Sequence, residues 1–208
     1  MKIAQLLNRD RLLESTIPSF DCATDYKDLT EPVNITRDVM LRNDHICKIP
    51  IKFGTVFGHF DVHMNNLTSL EGCPTRVEGE CFVSRNNISS LVGSPEHVGE
   101  DFYCSHNFIT SLEGAPAYIG GAFTCRNNHI ASLVGIHKII KRCTSISINN
   151  NPINEGGLGV LLIKDIQFIS SDLDALQIIN KYCGQGKRGM IDCQTELIKK
   201  GYKEFAKL

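Results

Sequence analysis

The chain reads as an α/β repeat solenoid: a short parallel β-sheet on the concave face of stacked coils, with helical caps mainly at the carboxy-terminal end. Three observations predict it. A phrase of the form apolar-x-apolar-x-x-Asn-x-apolar-x-x-Leu recurs every 21 residues and closes on Leu70, Leu91, Leu112 and Leu133. Gly72, Gly93, Gly114 and Gly135 stand two residues after the closing leucine, and Pro74, Pro95 and Pro116 follow in the first three copies. Beyond Gly156 and Gly157 the phrase gives way to helical spacing. Self-similarity at so short a period marks coils that bury their apolar faces only by stacking.

From the amino terminus, Ile3, Leu6, Leu7, Leu12 and Leu13 fall at helical spacing, and the polar stretch SFDCATDYKDLTEP follows as a loop. Residues 1–38 are therefore expected to cap the stack, because an open first coil would expose the buried ladder. Residues 39–155 hold about five to six coils. Val39, Leu41, Asp44, Ile46 and Ile49 form a weakened first copy with Asp in the Asn position, and Ile146, Ile148, Asn151 and Ile153 a last one displaced by two residues. Within each copy the apolar-x-apolar triplet puts two side chains on one face of a short strand. Phe60, Cys81, Phe102 and Phe123 lead one inward column, and Val62, Val83, Cys104 and Cys125 the next. Asn65, Asn86, Asn107 and Asn128 follow where the chain must bend, and stacked copies predict an asparagine ladder that pairs otherwise orphaned backbone. The Gly and Pro positions then predict an extended return with no room for a full helix. Residues 156–208 are expected to form a three-helix cap: Leu158 to Ile169, a second helix capped by Ser171 and Asp172, and a third from Ile191 to Leu208, with CGQGKRG as a turn between the last two.

The phrase FDVHMNNLTSL, Phe60 to Leu70, and its copies resemble leucine-rich repeats of the short bacterial kind. The returns SLEGCP and SLEGAP are similar to those of leucine-rich-repeat proteins of tailed bacteriophages and some bacteria. The resemblance covers roughly 39 to 153 and implies a scaffold that recognises a partner, a host or defence factor if the likeness to phage proteins holds; it transfers no functional residue.

With 208 residues, 42% of them hydrophobic, and a formal charge of −1, the chain suits one elongated domain. Its balanced charge gives no reason to expect a membrane or nucleic-acid partner. The charged start MKIAQLLNRDRLLE does not read as a signal peptide, and a cytoplasmic location is expected, in the host cytoplasm if the protein is phage-encoded. Nine cysteines without a Cys-x-x-Cys pair or a regular His companion predict reduced, mostly buried thiols and neither a metal nor another cofactor. Gly184 to Gly189 lacks phosphate-loop spacing. Lys181, Lys187, Arg188, Lys199, Lys200, Lys203 and Lys207 outnumber the nearby acids, but a solvated helix face explains them better than a nucleic-acid patch.

Subtracting the positions that the coil requires leaves the outward residues. Between the two inward columns stand Met40, Asp61, Phe82, Tyr103, Thr124 and Ser147. Phe82 and Tyr103 are neighbours there, with Asp61, Glu80 and Asp101 on one side and His63, Arg85, His106 and Arg126 on the other. Aromatics ringed by charge are typical of protein-binding hot spots. Phe82, Tyr103, Asp61, His63, Arg85, Asp101, His106 and Arg126 are thus the expected partner-binding residues, although a cross-strand aromatic pair also stabilises a sheet with no partner at all. Six strands spaced about 4.8 Å apart span only roughly 24 Å, so a tight complex should also recruit an edge, a cap or a second copy. Open-face His and Asp residues without a water-excluding pocket or an activated nucleophile do not suggest an enzyme. The leading expectation is a non-catalytic protein-recognition module; the alternatives are a structural or self-assembling component and nucleic-acid binding through the basic carboxy-terminal helices.

Overall fold

The computed structural model describes residues 31–208, so the expected amino-terminal helix and most of its loop lie outside the described residues. The chain winds into a parallel β-solenoid of about seven turns. A seven-stranded sheet carries the repeated triplets: β2 (Val39–Met40), β4 (Phe60–Asp61), β6 (Cys81–Phe82), β8 (Phe102–Tyr103), β10 (Ala122–Thr124), β12 (Ser145–Ser147) and β14 (Phe168–Ser170). A second sheet, which the sequence reading left as plain extended return, is formed by β1 (Val33–Ile35), β3 (Phe53–Val56), β5 (Arg76–Val77), β7 (His97–Val98) and β9 (Tyr118–Ile119). Val77, Val98 and Ile119 pack inward from it while Arg76 and Tyr118 face solvent. A short pair of β11 (Ser132–Leu133) and β13 (Glu155–Gly156) completes the strands.

Register confirms the columns. Phe60 pairs with Cys81, Cys81 with Phe102, and Phe102 with Phe123. Phe123 then pairs with Ile146 and Ile146 with Ile169, so the coil lengthens from 21 to 23 residues. The cause is visible in the sequence. Proline occupies the fourth position after Leu70, Leu91 and Leu112, but His137 stands there after Leu133. Without the proline, which would clash with the preceding turn, the return coils into the short helix α1 (Ile136–Ile139), and in the next coil into a 3-10 turn (Leu158–Leu162).

That last coil corrects an expectation. Leu158 to Ile169 is not one helix; the 3-10 turn is followed by β14, which extends the seven-stranded sheet. Val160, Ile163, Ile166 and Ile169 are all buried, and a three-residue spacing drifts around an α-helix with 3.6 residues per turn. Helix α2 (Asp174–Asn180) then packs on β14, and α3 (Gly186–Lys199) packs on α2 and on the 3-10 turn. Ser171 and Asp172 do not cap α2: its first residue follows Leu173, and Ser171 Oγ instead accepts the Leu173 N–H at 3.2 Å. Gly186 and Gly189 belong to α3 rather than to a break, and a second 3-10 turn spans Lys203–Ala206.

The interior is a stack of size-matched layers. Phe102 and Phe123 are stacked at 6.0 Å and 7°, and each coil that carries one of these rings has a cysteine, Cys104 or Cys125, in the adjacent inward column. Large beside small fills the layer at crystal-like density. The asparagine ladder forms as expected: Asn65, Asn86, Asn107, Asn128 and Asn151 are all buried. Each side-chain oxygen accepts amide N–H groups from the preceding coil, as Asn107 Oδ1 does from Asn86 and Ile88 at 3.2 Å. Each side-chain nitrogen bridges polar atoms of two coils, as Asn107 Nδ2 does to Val83 O and Cys104 O, both at 3.1 Å.

Backbone crowding sets two further rules. Gly114 has φ 83°, and a Cβ there would stand 2.4 Å from Val92 N in the coil before. The residue preceding each ladder asparagine is left-handed even without glycine: Met64, Arg85, His106 and Asn127 have φ between 54° and 58°. A left-handed non-glycine residue costs about 1 kcal/mol, least for Asn. Arg85→Asn should therefore raise the melting temperature by about 2–4 °C, measured by thermal unfolding followed by circular dichroism.

Candidate functional site

The outer face of the seven-stranded sheet is a grid of three rows. The central row is Met40, Asp61, Phe82, Tyr103, Thr124 and Ser147, extended by Ser170 from β14. Its aromatic pair is real but half-buried: the Phe82 and Tyr103 rings stack at 4.9 Å and 5°, each covering one face of the other. His63 approaches the opposite side of Phe82 at 6.4 Å.

Around this pair the polar residues divide by role. Asp61 is buried, not part of an exposed ring, and its Oδ1 receives both the His63 backbone N–H at 3.0 Å and His63 Nδ1 at 2.6 Å. Asp101 Oδ1 accepts the Ala122 N–H at 2.7 Å, as Asp38 Oδ1 accepts that of His59 at 2.8 Å and His59 Nδ1 that of Glu80 at 2.9 Å. These side chains thus pair amides at the mouths of the strands. Asp101 also faces the site: the Tyr103 hydroxyl donates to its Oδ2 at 2.7 Å, with Glu80 Oε1 at 3.4 Å. Burial, and then the Asp101 carboxylate, push the Tyr103 phenol well above its usual range, so it remains a donor.

The remaining expected residues spread out. Arg85 and His106 occupy the left-handed corner beyond the strands, where His106 Nε2 lies 3.4 Å from Asn127 Nδ2. Arg126 lies one coil further along and donates to the Ser147 hydroxyl. The structure therefore gathers Phe82, Tyr103, Asp61, His63 and Asp101 into one cluster and leaves Arg85, His106 and Arg126 at its margins. Sequence reasoning underrated Glu80 and missed Glu100, whose carboxyl lies within 4.8 Å of ligand atoms of His59 and Glu80. Glu100 falls in the corner before the strand, a position held by glycine in three other coils, and that departure was the available signal. The Glu80 N–H already takes the His59 Nδ1 lone pair at 2.9 Å, so of the two ring nitrogens only Nε2 would remain for a metal at His59, Glu80 and Glu100.

Elsewhere the polar chemistry is structural. Lys181 and Lys200 pair with Glu196, and Lys207 pairs with Glu155 and Glu204, so three of the seven basic residues from Lys181 onward are engaged in ion pairs. Hydrogen bonds from Tyr182 and then Lys181 hold the Glu196 carboxyl down to about 2. Cys47, half-buried and outside the inward columns, is disulfide-bonded, which corrects the expectation of reduced thiols throughout. Cys73, Cys81, Cys104, Cys125, Cys143, Cys183 and Cys193 are free. Burial pushes Cys143 and Cys193 up to about 12 and Cys183 to about 11. Since the thiolate is the reactive form, iodoacetamide at neutral pH should label Cys183, the half-buried one, before any other free thiol of this set; mass spectrometry of time-quenched samples reads the order.

Among the described residues no helix is long and apolar enough to cross a membrane. Comparison with protein-family models, curated proteins and solved structures finds no match.

Proposed function

We propose that this chain is a non-catalytic recognition module that binds another protein through the outer face of its seven-stranded sheet. The observation that carries the reading is the stacked Phe82–Tyr103 pair, set among carboxylates in a row whose later members are only Thr124, Ser147 and Ser170. Stacking alone accounts for some sheet stability; the charged surround is what suits a hot spot. In this reading the coils are leucine-rich repeats, and α2 and α3 close the stack as its carboxy-terminal cap. The protein acts in the cytoplasm, and, if it is phage-encoded, on a host or defence factor, by occupying a surface. Seven strands still span only roughly 29 Å, so partner contact extends beyond the sheet. Affinity capture with the wild type and with Phe82→Ala/Tyr103→Ala tests the reading: loss of a specific partner from a variant that circular dichroism shows to be folded is expected, and equal recovery of every partner refutes it.

A second reading, self-assembly, is favoured by α3, whose Ile191 and Ile198 lie on the side away from buried Cys193 and Leu197 and are 63% and 47% exposed. Sedimentation that shows only monomer across micromolar concentrations would dismiss it.

A further inference from the structure

We propose that the Tyr103 end of the aromatic stack is a socket for an arginine side chain of a partner protein. The inference rests on the reading of this sheet as a recognition face and names the chemistry that the face selects.

Three observations carry it. First, Phe82 and Tyr103 stand in register on neighbouring strands and their rings stack at 4.9 Å and 5°. Phe82 covers one face of Tyr103. The other looks over the next coil, where Ala122 and Thr124 are small; beyond them Ser147 is buried and its hydroxyl accepts from Arg126. Second, Glu80 and Asp101 reach the hydroxyl of this ring, and the Glu100 carboxyl stands within 4.8 Å of that of Glu80. Third, their charge is uncompensated. Among the described residues no lysine or arginine pairs with any of the three, and only His59 approaches Glu80, at 3.7 Å. By contrast, Arg76 pairs with Glu78, and Arg142 with Asp165.

An open π-face edged by unpaired carboxylates selects a cation. Guanidinium fits better than ammonium, because its plane stacks on the ring while its edge donates in two directions to carboxylates. Asp101 has spent one lone pair of each oxygen, on the Ala122 N–H and on the Tyr103 hydroxyl, and each oxygen retains a second. The same charge repels phosphate, which directs this face towards protein rather than nucleic acid. One desolvated arginine anchor also answers the small size of the face, since a few such residues dominate binding energy.

The test titrates the isotope-labelled full chain at low salt with capped Gly-Gly-Arg-Gly-Gly, with its lysine and citrulline counterparts, and separately with calcium chloride. Saturable shifts confined to Tyr103, Ala122, Thr124 and their neighbours are expected, with arginine binding tightest. Tyr103→Leu and Glu80→Gln/Glu100→Gln should each weaken the arginine peptide about tenfold, near 1.4 kcal/mol. An equal response to citrulline, no local response to arginine, or a local response to calcium alone overturns the proposal. Partner capture separates the two readings. Loss with Phe82→Ala/Tyr103→Ala but retention with Glu80→Gln/Glu100→Gln overturns the arginine socket and keeps the recognition face; retention with both sets overturns the face as well.

Discussion

Asn107→Ala should destabilise the protein by about 3–4 kcal/mol, among the largest effects of any polar substitution in the chain. The side chain is buried, and its oxygen is the acceptor for the Asn86 and Ile88 amides of the preceding coil. Alanine leaves those two N–H groups without a partner in an apolar stack, at about 1–3 kcal/mol each. The carbonyls suffer less. Val83 O retains Asn86 Nδ2 at 3.2 Å, and Cys104 O retains Asn128 Nδ2 at 3.1 Å, because each is served from two coils. Asn107→Asp separates acceptor from donor. The carboxylate can accept both amides but faces two carbonyl oxygens that it cannot serve, so its folded-state pKa is raised. A raised pKa means stability that is present below the unfolded value, about 3.9, and lost as pH rises through the folded one. Urea unfolding of Asn107→Asp should thus approach the wild type in acid and fall away towards neutrality. An alanine variant as stable as the wild type would refute the ladder as a source of stability.

Phe102→Ala should cost about 3–5 kcal/mol. Its ring is fully buried, lies in register between Cys81 and Phe123, and stacks on Phe123. Cys104 in the adjacent inward column is too small to collapse into the space. A solenoid has only neighbouring coils to compensate, so the loss should also uncouple the two halves of the stack. Denaturant unfolding is expected to broaden or split into two transitions, with hydrogen exchange fastest in the coils that flank β8. Phe102→Leu, which preserves most of the volume, should cost less than about 1.5 kcal/mol. Equal losses for Ala and Leu would mean that aromatic stacking, rather than cavity volume, governs the layer.

The parts of the fold legible in the sequence were those in which one position does the same physical work in every coil. The inward columns, the asparagine ladder and the glycine turns repeat because each coil meets the same neighbour. The second sheet was less legible, since strands of two residues such as Arg76–Val77 carry a single inward apolar position and no alternation to read. The terminal coil was misread as helix because its apolar positions are dense and its return lacks proline; only stacking of Ile169 on Ile146 shows it to be strand. At the candidate site Phe82 and Tyr103 stood out as exceptions to the repeat, but Asp61 sank beneath His63, and Glu80 and Glu100 came together only in three dimensions.

By itself, the 21-residue phrase determined that this chain is a repeat solenoid, which residues face inward, and where each coil bends, because those properties follow from local spacing and from backbone groups that must be paired. Tertiary structure alone decided how far the stack runs, that its return forms a sheet, and which charges are already spent on backbone amides. Those outcomes depend on contacts 21 to 23 residues apart, between side chains whose slots the sequence shows but whose partners it does not.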